Sequence, residues 1–141
     1  MMEYHFVIDM VPVAKARARV FAQGGKIRAV TPAKTRNAES IVRDTAIVAG
    51  VKPIEGPVGL TLKFRYRPPK SWSKLKTEKA IESREYKITM PDLDNLAKLV
   101  KDALNGIAWG DDRQVAWSVT EKCYGQRDEI DVRICSLEDA E

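Results

Sequence analysis

The chain has 141 residues with a formal net charge of +4 at pH 7, and 44% of its residues are hydrophobic. This length suits one compact domain rather than two, so we expect a single domain over residues 1–141. No apolar run approaches the roughly 20 residues that cross a bilayer, which predicts that the chain has no membrane span. Met1–Met10 contains three polar or charged residues and does not read as a signal peptide. We therefore expect a cytoplasmic protein.

The residue types that bind zinc are scarce. The chain has two cysteines, Cys123 and Cys135, and one histidine, His5, with no short Cys-x-x-Cys spacing. This inventory argues against a zinc site. Both cysteines lie in strand-like stretches, where we expect apolar packing in a reducing compartment.

Basic charge is distributed unevenly along the chain. Residues 13–37 contain seven Lys or Arg residues and no acidic one, and residues 63–87 contain nine against three acidic residues. Such concentration favours a polyanionic partner, although ordinary solvated surfaces can show it too.

The first part of the chain predicts a strand followed by a basic arm. Tyr4–Val11 alternates between apolar and polar residues, and Pro12 ends the alternation. In an extended arm, the alternating residues Lys15, Arg17 and Arg19 would place their charges on one side. We expect these side chains to contact backbone phosphates of DNA, with a solvated loop as the alternative.

A hairpin and a long helix are predicted next. Gly24-Gly25 forms a turn between two short apolar stretches, and Thr31-Pro32 is a favourable helix start that runs to Gly50. The predicted buried stripe of this helix comprises Ala38, Ile41, Val42, Thr45, Val48 and Ala49.

The clearest strand covers residues 58–66, where apolar residues occupy every second position. The opposite face carries Lys63 and Arg65, and Arg67 follows in the same alternation. These three residues are candidate DNA contacts, or edge charges that only prevent aggregation.

Residues 70–87 predict a short charged helix. We expect Trp72 to pack against the sheet, with stacking on an unpaired base as the alternative. Residues 114–124 and 129–135 predict two strands joined by the turn at 125–128, so we expect them to pair as a hairpin. The element order indicates an α+β fold with a mixed, largely antiparallel sheet and two main helices.

An acidic motif lies between the predicted short helix in residues 70–87 and the predicted strand at 114–124. It reads Pro-Asp-Leu-Asp-Asn-Leu-x-Lys from Pro91, continues as an apolar helical stripe to Gly106, and ends in Trp-x-Asp-Asp-x-Gln. An extended lead-in would point Asp92 and Asp94 the same way. The second acidic pair, Asp111-Asp112, approaches the first if the strand at 115–119 lies beside that lead-in.

Carboxylates that cluster in this way repel one another unless a cation joins them, and oxygen ligands suit Mg²⁺ or Mn²⁺. The alternative is structural: Asp92 or Asp94 caps the helix, and Asp111-Asp112 forms only a turn. Lys98 lies one helical turn beyond Asp94, where it could contact a phosphate or form a simple ion pair with Asp94.

The whole string resembles the signature of the RusA family of Holliday junction resolvases, and the basic arm after the first strand is similar as well. That family comprises small dimeric endonucleases, often prophage-borne, which cut four-way DNA junctions with a divalent metal. The resemblance implies metal binding by Asp92, Asp94 and Asp112, with Asp111 as a further candidate ligand. It also implies a catalytic or DNA-contact role for Lys98.

The resemblance therefore implies a RusA-like fold and a homodimer that resolves Holliday junctions in recombination and repair by metal-dependent paired phosphodiester hydrolysis. Its expected cofactor is Mg²⁺, with Mn²⁺ as a substitute, and its expected partner is four-way junction DNA. Three alternatives stay open at this point. They are a non-catalytic DNA-binding accessory protein of recombination, a nuclease for flaps or forks, and a module whose basic faces bind an acidic protein.

Overall fold

A computed structural model of the chain describes residues 2–16 and 19–138. Its strands and helices follow in the order β1 (Glu3–Ile8), β2 (Arg19–Gln23), β3 (Lys26–Val30), α1 (Ala33–Val48), β4 (Val58–Tyr66), α2 (Lys74–Glu82), α3 (Leu93–Leu104), β5 (Val115–Tyr124) and β6 (Glu129–Ser136). A single 3-10 turn, Asp112–Gln114, directly precedes β5.

The main sheet has four strands in the order β1-β6-β4-β5. The β1–β6 and β6–β4 pairs are antiparallel, whereas β4 and β5 run parallel. The predicted α+β fold with a mixed, largely antiparallel sheet is therefore confirmed. Strands β2 and β3 form a separate two-stranded sheet, as predicted, and both glycines of their turn have positive φ (Gly24 +58°, Gly25 +77°).

The prediction that the last two strands pair as a hairpin is wrong, because β4 lies between them. The turn that joins β5 to β6 crosses the end of β4. Gly125 N donates to the Tyr66 carbonyl at 2.9 Å, and Arg67 N donates to Asp128 Oδ1 at 2.9 Å. A central position gives the apolar β4 a hydrogen-bonded neighbour along each edge.

The hydrophobic core lies on one face of the sheet. The alternating residues of β4 that were predicted to be apolar and inward, from Val58 to Tyr66, are all buried. Helix α1 packs against α3 and β1, and α3 packs against β5. The predicted packing of Trp72 is confirmed, since its ring meets that of Tyr124 edge-on with centroids 5.0 Å apart.

The predicted buried stripe of α1 is partly wrong. The buried residues are Thr35, Ala38, Val42 and Ala46, while Ile41 and Val48 are exposed. Mostly small residues at spacings of three and four let the helix lie close to its neighbours. The larger apolar residues between them consequently face outward.

In the part of the chain that the structure describes, no helix is both long and apolar enough to cross a membrane.

Candidate active site

Helix α3 supplies the first acidic residues. Its apolar face is buried from Leu96 to Leu104, so its opposite face points outward. Asp92 is the N-cap residue, but its carboxylate makes no capping hydrogen bond. Asp94 follows in the first turn and is exposed. Its position inside the helix means that the expected alternation of Asp92 and Asp94 along an extended segment does not occur.

The second acidic pair lies on a loop that is anchored by Trp109. This side chain is wholly buried, and its indole Nε1–H donates to Asp112 Oδ1 at 2.8 Å. One oxygen of the half-buried Asp112 carboxylate is therefore held in place. The Gly106 N–H closes the loop by donating to the Trp109 carbonyl at 2.7 Å, and Gly106 itself has a positive φ of +84°.

Asp111 and Gln114 fix the same loop from its other side. The Asp111 carboxylate accepts the Arg113 N–H at 2.9 Å, and Gln114 Oε1 accepts the Asp111 N–H at 3.0 Å. The Gln114 amide also donates to the carbonyls of Ile54 and Gly56. Asp111 thus serves as the cap of a turn, which was the structural alternative for this residue.

These elements line an open groove of about 490 Å³ between α3 and the edge strand β5. Asp94, Lys98 and Asp102 line it from successive turns of α3, and Asp112 lines it from the loop. Ser118 and Thr120 of β5 contribute hydroxyl groups, and the remaining lining residues are Ala97 and Lys101. The first and second acidic groups therefore meet at one groove through Asp94 and Asp112.

Asp92 lines a second groove, of about 610 Å³, which shares Thr120 with the first. The lead-in segment 86–91 forms its wall and lies beside β5, as expected, but at residues 122–123 rather than 115–119. The Lys122 ammonium donates to the carbonyls of Thr89 and Pro91, each at 2.6 Å. These bonds fix the backbone directly before Asp92.

The ion pair between Lys98 and Asp94, which was the alternative to a phosphate contact, is not among the salt bridges of the described residues. Asp92 and Asp94 likewise form no side-chain hydrogen bond there. Their exposed oxygens are therefore available to an external ligand.

The donor set can be compared with what a divalent cation requires. Among residues 2–16 and 19–138, no three His, Cys, Asp or Glu side chains stand close enough together to hold one metal ion. Mg²⁺ is usually held by one or two carboxylates, with waters and substrate oxygens completing its shell. The groove supplies ligands of this chemical type, namely two carboxylates and two hydroxyls. They belong to Asp94, Asp112, Ser118 and Thr120.

Comparison with known proteins identifies the family. A sequence model described as Endodeoxyribonuclease RusA matches residues 9–135. The chain belongs to the RusA endodeoxyribonuclease family. A relative from Bacillus subtilis (strain 168), described as uncharacterized protein YqaN, is 39% identical over 136 residues, which cover 92% of this chain and 93% of the relative. The RusA resemblance inferred from the acidic motif is thereby confirmed over nearly the whole chain.

The basic arm of this RusA-family chain is tied to the candidate site. Lys15 Nζ lies 2.6 Å from Glu39 Oε1 and 3.1 Å from Asp102 Oδ2, and Lys15 N donates to the Asn95 carbonyl. Although burial lowers it, the pKa of Lys15 is raised overall by its bonds to Glu39 and Asp102. Arg17 lies outside the described residues, and Arg19 begins β2.

The basic residues of β4 lie on the face of the sheet opposite the core. Lys63 is 3.9 Å from Glu121, and Arg65 is 3.2 Å from both Glu129 and Asp131. Arg67, beyond the strand, is exposed. DNA contact by these three residues stays a prediction, and two of them would have to share their charge with carboxylates.

The groove residues that were not predicted as part of the site include Asp102, Ser118, Thr120 and Lys122. Asp102 lies eight residues after Asp94, a spacing that keeps both on one helix face. The other three occupy every second position of β5, so the period-two pattern of that strand was the signal that could have found them.

Proposed function

We propose that this chain is a Holliday junction resolvase that cuts four-way DNA junctions by metal-dependent hydrolysis of two symmetry-related phosphodiesters. The observation that carries the proposal is the groove in which Asp94, Asp112 and Lys98 meet, in a chain that belongs to an endodeoxyribonuclease family. An exposed groove between a helix and an edge strand admits a DNA backbone more readily than an enclosed cavity would.

Asp94 and Asp112 are the residues we assign to the metal in this groove, with Asp92 contributing from the adjoining one. From the acidic pair we choose Asp112 because it lines the groove, whereas Asp111 lines neither groove and caps a turn. A bound Mg²⁺ would activate water and neutralise charge in the transition state. The Trp109 indole holds Asp112 in one orientation, which limits the freedom of that carboxylate.

Lys98 is the residue we assign to the scissile phosphate. Its side chain is exposed and lines the same groove as Asp94 and Asp112. An ammonium group at this position would offset the negative charge that develops on phosphate oxygens during hydrolysis.

Symmetric cutting of two strands requires two active sites related by a two-fold axis, and we therefore propose a homodimer. Sedimentation of the purified protein at several concentrations tests this part independently of cleavage.

The decisive experiment compares a synthetic four-way junction with a linear duplex of the same sequence, with Mg²⁺ and with chelator. Asp92→Asn is the test variant, and Asp44→Asn is the matched control because Asp44 is exposed on α1 and lines neither groove. We expect paired nicks in the junction only, dependent on metal, lost in Asp92→Asn and retained in Asp44→Asn.

The other outcomes identify the alternatives. Faster cutting of flaps or forks than of junctions would make the protein a branched-DNA nuclease. Tight junction binding without cleavage under any divalent metal would make it a recombination accessory protein, and wild-type cutting by Asp92→Asn would remove Asp92 from the site.

A further inference from the structure

The segment that leads into Asp92 presents apolar side chains to solvent at every second residue. Ile88 is 94% exposed, Met90 80% and Tyr86 67%. A single exposed apolar residue needs no explanation, but several together beside a candidate active site form a patch of the kind that marks a binding surface.

The backbone that carries these side chains is held in place. Lys87 N donates to the Lys122 carbonyl at 2.9 Å, and the Lys122 ammonium donates to the carbonyls of Thr89 and Pro91. A segment that is fixed before binding loses little conformational freedom when a ligand arrives. The patch is therefore ready to contact a partner without rearrangement.

The charge around the patch indicates the class of partner. The ammonium groups of Lys87 and Lys122 both donate to Thr89, so two cationic groups lie close together at the segment. Burial and the neighbouring Lys122 ammonium lower the pKa of Lys87. Two carboxylates line this groove, those of Asp92 and Glu121. The charge of Glu121 is partly balanced by Lys63, 3.9 Å away, so Asp92 is the main negative charge at the rim. A second copy of the chain, docked here about a two-fold axis, would bring like charges together.

An anionic partner with apolar faces near its charges fits this surface better, and nucleic acid with unstacked bases has both. On this basis, and resting on the proposed function, we propose that Ile88 and Met90 form a wedge. The wedge contacts unstacked bases at the branch point of the junction while a phosphate lies beside Asp92. DNA-bending proteins insert isoleucine and methionine between bases in this way, and Tyr86 offers an aromatic face for stacking.

The wedge would explain a preference for junctions over linear duplexes, because the bases of a linear duplex are all stacked. The test uses the double variant Ile88→Ser/Met90→Ser, which removes exposed side chains and leaves the core unchanged. The matched control is Ile47→Ser/Val48→Ser, since these residues are 54% and 88% exposed on the last turn of α1. Binding is measured in chelator on a junction with 2-aminopurine at the branch point and on the linear duplex.

For the wild type and the control, we expect fluorescence to rise as the branch-point base unstacks. For the double variant, we expect no rise and a loss of junction affinity of about tenfold or more, with duplex affinity unchanged. A double variant that retains the wild-type fluorescence rise and junction preference would overturn the wedge. So would a variant that sediments as a smaller species than the wild type, because the segment would then be a self-association surface.

Cleavage by the wild type separates the two proposals. If the wild type cuts junctions and the double variant binds and cuts them equally well, only the wedge fails. If the wild type neither cuts nor prefers junctions, the proposed function is wrong, and the wedge proposal, which rests on it, is wrong as well.

Discussion

The indole of Trp109 allows the site to be tested through a side chain that is wholly buried beside it. Trp109→Phe removes the Nε1–H that donates to Asp112 and leaves a ring-sized void in a wholly buried position. A hydrogen bond to a charged group contributes about 1.5–3 kcal/mol, and the low end applies because Asp112 is partly exposed to water. The void adds about 1–2 kcal/mol. We therefore expect the free energy of unfolding to fall by about 3 kcal/mol.

Urea unfolding followed by circular dichroism measures this loss, and a double-mutant cycle with Asp112→Ala isolates the hydrogen bond from the void. We expect a coupling energy of about 1.5 kcal/mol. Trp117→Phe is the matched control, because Trp117 is 44% exposed, and should cost less than about 1 kcal/mol. Because we propose that Asp112 binds the metal, we expect cleavage to fall about 10–100-fold with Trp109→Phe. A coupling energy near zero would refute the claim that Trp109 positions Asp112.

Three lysines give further predictions. Lys122→Met removes two bonds to loop carbonyls, and we expect a stability loss of about 1–2 kcal/mol in urea unfolding and about tenfold slower junction cleavage. Lys98→Ala should slow single-turnover cleavage about 10²-fold or more while changing junction affinity in chelator much less; equal losses would make Lys98 only a DNA anchor. Because the pKa of Lys15 is raised above 10.5 in the fold, its ion pairs stabilise the protein below that pH, and this contribution disappears at higher pH. The stability difference between wild type and Lys15→Met should therefore shrink towards zero in urea unfolding above pH 10.5, and a difference that stays constant would contradict it.

Periodicity predicted the elements well where burial is one-sided. Strand β4 and helix α3 each bury one regular set of apolar residues, so their residue spacing alone locates them. Helix α1 shows the limit of the method, because a helix can pack through small residues. There the large apolar residues, which weigh most in a sequence pattern, lie on the exposed side.

Strand order could not be derived in the same way. The turn at 125–128 is a good hairpin signal, yet its backbone and side chains bond to the end of β4 rather than joining two paired strands. A local turn signal shows where the chain reverses. It does not show whether another strand occupies the space between the two strands that the turn connects.

For the site too, closeness in the sequence did not show which residues lie together in space. Asp92 and Asp94 are two residues apart and line different grooves, whereas Asp94 and Asp112 are far apart in the chain and line the same one. The hydroxyls of Ser118 and Thr120 reach that groove only because β5 lies along α3, a contact between elements that their individual patterns do not specify.

The acidic motif combines structural and chemical residues, and the structure separates them. Trp109 fills the core and orients Asp112, Asp111 caps the turn, and Gln114 ties the loop to the carbonyls of residues 54 and 56. Each of these contacts fixes the spacing of the motif without any substrate. The chemistry then depends on the carboxylates that line the groove, which is why Asp94 and Asp112 carry the proposal and Asp111 does not.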